Sequence, residues 1–217
     1  MPTIQFKISN LKFKIRRGYT LIEFLIVIGI LSVSIGSVFM ILTSVIKGSN
    51  QANIGAEVKQ NGQAVLEGLE RQIRIATNVR VMGGSEFIPS GASTGNSGMV
   101  LTKPTGGYIY LICVNKDSTV PPTYNGWIGI ASGTSDLPPP LASSYQSLTA
   151  NTDLISGVDI DCTAGTAGST AFRVDTATSS VKVVTISFTA NQGVSAPSRV
   201  DFKANAKFQT VISLRQF

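Results

Sequence analysis

The sequence predicts an α+β protein in which a long N-terminal helix, membrane-spanning in its first half and amphipathic in its second, packs on an antiparallel sheet. Three observations carry this: an apolar run over residues 21–46, a three-four apolar periodicity from Ile54 to Ala76, and a change beyond Val81 to Gly, Ser, Thr and β-branched residues broken by turn clusters. At 217 residues the chain has room for one domain or at most two. It is 43% hydrophobic and only 14% charged, too apolar for a disordered chain and short of charge for a soluble one.

The apolar excess lies in residues 21–46, where 18 of 26 positions are aliphatic, Phe or Met and Glu23 alone is ionisable. As a helix rising 1.5 Å per residue this segment is about 39 Å long, enough to cross a hydrocarbon core of about 30 Å. Lys7, Lys12, Lys14, Arg16 and Arg17 all precede it. Without residues 1–18 the formal charge falls from +6 to +1, so the basic character belongs to the N-terminal segment and nucleic-acid binding by the rest is not indicated. The apolar run exceeds the h-region of a secretory signal peptide and ends in Lys47-Gly48-Ser49-Asn50, without a small-residue cleavage site. A single-pass anchor fits better, with the basic cluster in the cytoplasm and the rest of the chain outside. A plain anchor leaves Glu23 unexplained, because an acid inside an apolar helix is costly. Glu23 is either tolerated near the helix end or awaits a cation within the membrane.

Past the membrane, Ile54, Val58, Val65, Leu69, Ile73 and Ala76 recur at helical spacing, and no proline falls between Thr20 and Ile88. One helix from residue 20 to about 80 is predicted, supported by Glu67 to Arg71 and Glu70 to Arg74 as i,i+4 pairs with the acid first. Glycines 29 and 36, and again 48, 55 and 62, stand at heptad spacing. Each is either a loose spot costing about 1 kcal/mol relative to Ala or a place of close packing or local melting.

Strands are predicted at Met99–Lys103, Tyr108–Val114, Trp127–Ala131, Leu154–Cys162, Ala171–Asp175, Val181–Thr189 and Val200–Leu214. Alternation in Val184, Ile186 and Phe188, and in Phe208, Thr210, Ile212 and Leu214, marks half-buried antiparallel strands. Ser90–Gly98, Pro121-Pro122, Pro138-Pro139-Pro140 and Thr163–Thr170 read as loops. No repeat of 20 to 50 residues emerges.

The chain has no histidine, so a Ser-His-Asp or Cys-His site is excluded, as is His-ligated zinc; no P-loop or G-x-G-x-x-G occurs. No catalytic residue, metal or cofactor is expected. The two cysteines, Cys113 and Cys162, are too far apart for C-x-x-C chemistry, and an extracytoplasmic location favours a disulfide over two buried thiols. Asp159 and Asp161, with Asp153 before and Asp175 after, bring calcium to mind, yet alternate residues of one strand more simply form its solvated face. An enzyme would have to work through carboxylates alone, such as Asp159 with Asp175. Tyr108, Tyr110 and Trp127 read as sheet surface or core edge before they read as a ligand platform.

The string Arg16-Arg17-Gly18-Tyr19-Thr20-Leu21-Ile22-Glu23, followed by the apolar helix, closely resembles the processing site of type IV prepilins and type II secretion pseudopilins. The resemblance implies a pilin-like fold and cleavage after Gly18 by prepilin peptidase, on the cytoplasmic side. It also implies N-methylation of Tyr19 and, in the assembled fibre, a charge pair between Glu23 of one subunit and the Tyr19 ammonium of its neighbour. The basic cluster Lys12, Lys14, Arg16 and Arg17 falls in the leader. Four regions follow: a cytoplasmic leader (1–18), a transmembrane and assembly helix (19–46), an amphipathic helix (47–80) and a β-rich globular region (81–217). The implied partners are prepilin peptidase, other pilin or pseudopilin subunits, an assembly platform with its ATPase, and membrane lipid before assembly. The implied location is the cytoplasmic membrane, N-terminus inside, and then an extracytoplasmic fibre. The ending Phe208 to Phe217 is similar to the terminal strand of J-type minor pseudopilins, and the length points to a minor subunit. The rival reading is an uncleaved single-pass anchor carrying a binding or sensor domain.

Overall fold

The computed structural model describes residues 18, 20–82, 97–117, 119–139, 141–163, 170–178, 181–199 and 203–214. It divides into two compact units, residues 1–46 and 47–217. Helix α1 runs from Leu21 to Arg74. In the first unit every residue of this helix is exposed, which suits a surface meant for lipid. Its hydroxyls are turned back on the helix: Ser32 donates to Gly29 O (2.8 Å), Ser34 to Ile30 O (2.9 Å) and Thr43 to Met40 O (2.9 Å). The donors of these three hydroxyls are thus satisfied without water.

In the second unit α1 buries Val58, Gly62, Val65, Leu69 and Ile73, steps of four and three that make one stripe. The expected continuation to residue 80 does not form. The Thr77 N–H bonds Thr102 O (2.9 Å), and Asn78–Val81 become strand β1, paired antiparallel with Val81 opposite Met99 and Val79 opposite Leu101. Val79 and Val81 are β-branched, and pairing buries Val79, which outweighs one more helical turn. The Glu67 to Arg71 pair is also replaced: Gln63 Nε2 donates to Glu67 Oε1 (3.2 Å), whereas Glu70 does hold Arg74 at 3.4 Å.

The first sheet is a meander of five antiparallel strands in the order β1 to β5: β2 (Ser97–Thr102), β3 (Tyr108–Val114), β4 (Trp127–Gly133) and β5 (Gln146–Ser147) follow β1. Ser97 and Gly98, expected in a loop, open β2; residues 90–96 of that loop lie outside the described residues. The turn from β2 to β3 uses Gly106 and Gly107 at φ of 83° and 85°, a conformation that side chains disfavour.

The second sheet is built around β8 (Val181–Gln192). One edge of β8 pairs with β6 (Val158–Asp161) and then β7 (Phe172–Thr178), the other with β9 (Asn205–Ser213). Strand β6 is shorter than the predicted Leu154–Cys162 because Asp153 closes a turn before it. Its carboxylate accepts the N–H groups of Ile155 (3.1 Å) and Ser156 (3.0 Å) and the Ser156 hydroxyl. These bonds, the Ser156 hydroxyl first, hold the Asp153 carboxyl below its ordinary 3.8.

The main core lies between the α1 stripe and both sheets, with Leu101, Leu111, Ile128, Ile160, Ile186, Phe188 and Ile212 among its members. A second cluster on the other face of the first sheet contains Val100, Tyr110, Ile112, Trp127 and Tyr145. Tyr110 and Trp127 are therefore core residues. Phe208 of β9 stacks on Phe188 of β8, with ring centroids 5.3 Å apart, and lies over Gly62 of α1.

Candidate functional site at the capped end of the helix

Gly18 and Glu23, expected to serve processing and assembly, flank the start of α1. Thr20 is the N-cap: its carbonyl accepts the Phe24 N–H (3.1 Å), the first helical bond, and its Oγ1 accepts the Glu23 N–H (3.3 Å). An orphan donor of the first turn is thereby satisfied. The spacing Thr20-x-x-Glu23 is that of a capping box, a signal present in the sequence itself and independent of charge and apolarity. Glu23 lies in the first turn, where the positive end of the helix dipole favours a carboxylate. Both Glu23 and Thr20 are exposed.

Gly18 stands two residues before the cap, exposed, with nothing within 4 Å of where a Cβ would be. Tyr19 and the basic residues Lys12, Lys14, Arg16 and Arg17 lie outside the described residues.

The two cysteines meet far from this end. Cys113, in β3, and Cys162, just after β6, form a disulfide (Sγ–Sγ 2.07 Å, Cα–Cα 5.8 Å), with both residues fully buried. It joins the first sheet to the second. The same junction corrects the expectation for Asp159, which is 5% exposed and not on a solvated face. The segment before β4 covers it: Asp159 Oδ1 accepts the Gly126 N–H (2.7 Å), Oδ2 stands 3.6 Å from Lys116 Nζ, and the Ile160 N–H bonds Gly126 O (2.9 Å). Burial pushes the Asp159 carboxyl above its ordinary value against the pull of Gly126 and Lys116.

The aspartates considered for calcium each have protein donors. Asp161 takes the N–H and hydroxyl of Thr163, and Asp175 takes Arg173 Nε at 2.9 Å. Among the described residues no three acidic, histidine or cysteine groups converge on a metal site. Asp159 and Asp175 are no catalytic pair, because Asp159 lies opposite Asn191 and Asp175 opposite Val183. That separation along β8 is about 27 Å.

Among the described residues one helix, α1, is long and apolar enough to cross a membrane, and the unit from residue 47 onward is an α+β body. Residues 13–39 match the family model of the prokaryotic N-terminal methylation motif, which supports the type IV prepilin and pseudopilin family. The matched span contains Lys14, Arg16, Arg17, Gly18, Tyr19 and Glu23 and begins just after Lys12. Searches of curated proteins and of solved structures found no match.

Proposed function

We propose that the protein is a structural subunit, a minor pilin or pseudopilin, of a type IV pilus or type II secretion pseudopilus. Prepilin peptidase cleaves after Gly18 and methylates the Tyr19 amine. The mature chain waits in the cytoplasmic membrane with its body outside, and an assembly platform driven by its ATPase inserts it among like subunits. The supporting observation is the exposed Gly18 directly before a capped apolar helix with Glu23 in its first turn, all inside the methylation motif.

The chemistry of assembly follows from burial. A free ammonium at Tyr19 and a carboxylate at Glu23 are each costly in hydrocarbon. Brought together between neighbouring subunits, they neutralise one another in a medium where an unpaired charge is heavily penalised. The body contributes a disulfide-joined pair of sheets packed on the part of the helix beyond residue 47.

The test is the intact mass of the membrane-extracted protein made with and without a prepilin peptidase, beside a Gly18→Ala control. Cleavage and methylation remove about 2.2 kDa and add about 14 Da, and the control changes by neither. An unchanged mass in the presence of active peptidase would leave an uncleaved anchored domain.

A further inference from the structure

We infer that neighbouring copies of this chain join side by side through an ion pair between Glu57 of one copy and the Lys59–Lys203 groove of the next. This rests on the reading of the protein as a polymerising subunit.

The groove has a volume of about 520 Å³ and lies beside the membrane-proximal part of the body helix. Its floor is Ala52, Gly55 and Ala56, and a Cβ at Gly55 would meet nothing within 4 Å, so the space above the helix is open. Lys59 stands on one side and Lys203, just before β9, on the other. Both are exposed, and among the described residues neither has a hydrogen-bond or ion-pair partner. Helical spacing offers Lys59 no acid, since its i−4 and i+4 neighbours are Gly55 and Gln63. Two ammonium groups facing one groove call for an anionic occupant.

The chain carries the matching group. Of the described carboxylates beyond the membrane segment, Glu57 is the one without a hydrogen bond or ion pair. Glu67 has Gln63, Glu70 has Arg74 and Thr210, and each described aspartate has its own donors or cation. Its i−4 and i+4 neighbours are Asn53 and Asn61. Two residues from Lys59 on a helix of 3.6 residues per turn, Glu57 points about 160° away around the axis. Acid and groove are on opposite flanks, so one copy cannot satisfy itself and a two-fold dimer would not match them. Joined unlike to unlike, the contact is heterologous, the interface type that extends into a filament where the rotation between copies does not close a ring.

The test uses two tagged full-length copies in one cell with prepilin peptidase, one carrying Glu57→Cys and the other Lys203→Cys, treated with a bismaleimide. A product bearing both tags is expected, with neither variant crosslinking to itself. Glu57→Lys in a third strain lowers incorporation of the chain into the assembled fraction about fivefold, and adding Lys59→Glu with Lys203→Glu restores it. Chain cleaved at Gly18 without a mixed product, like-with-like products as strong as the mixed one, or no rescue by the swapped charges would overturn the inference. Cleavage is scored separately by mass. Its absence overturns the subunit reading, while a mixed product would still report this contact between anchored copies.

Discussion

The ring of Phe208 occupies the space that a side chain at Gly62 would need: a Cβ there would come within 2.2 Å of Phe208 Cε2. Gly62 thus lets β9 lie directly on α1, with Phe208 in turn stacked on Phe188. Gly62→Ala is expected to destabilise the body by about 1–3 kcal/mol through overpacking, despite the better helix propensity of alanine. Gly68→Ala, where a Cβ meets nothing, is expected to stabilise it by up to about 1 kcal/mol. Urea unfolding of the detergent-solubilised protein compares the two, and a shift of the same sign in both would show that Phe208 can yield.

The disulfide closes a long segment, since its cysteines are 49 residues apart. Loop entropy in the unfolded chain makes it worth about 4 kcal/mol. Cys113→Ser with Cys162→Ser should lower the urea midpoint accordingly, and a reductant should do the same to the wild type.

Asp159 has lost most of its water and keeps Gly126 and Lys116. Asp159→Ala strands the Gly126 N–H and is expected to cost about 1–3 kcal/mol, whereas Asp159→Asn keeps an acceptor and costs less. Equal losses in the two variants, read by thermal unfolding, would refute the role given to the carbonyl-type acceptor.

Asp153 titrates in the opposite sense to Asp159. Its folded-state carboxyl is held below 3.8, so the stability it supplies is present above that value and is lost as pH falls through the lowered one. Stability of Asp153→Asn should accordingly fall less steeply than that of the wild type below about pH 4. Parallel curves would assign the acid sensitivity elsewhere.

At the assembly end, Glu23→Ala is expected to be cleaved after Gly18 as the wild type is, yet to incorporate poorly beside it, because the neighbour's ammonium is left alone in lipid. Thr20→Val removes the cap oxygen and should weaken the first turn by about 1 kcal/mol, seen as faster hydrogen exchange at Glu23.

Much of this molecule was legible before its structure. The run from Leu21 to Ile46 is exposed at every position and, Glu23 apart, carries no ionisable side chain, so its helical pattern is set locally. Val58, Val65, Leu69 and Ile73 form the buried stripe their spacing implied, and Val184, Ile186 and Phe188 face the core as their alternation did. These are local periodicities, and a helix or strand reproduces them wherever it is packed. Tertiary structure alone decided the rest. The helix stops at Arg74 because β2 offered Val79 a partner, Asp159 is buried because a segment 33 residues away crosses over it, and Gly62 is a packing contact because Phe208 arrives from β9. Each outcome depends on which distant residue comes to lie opposite, and that pairing is a property of the folded chain and not of any window of its sequence.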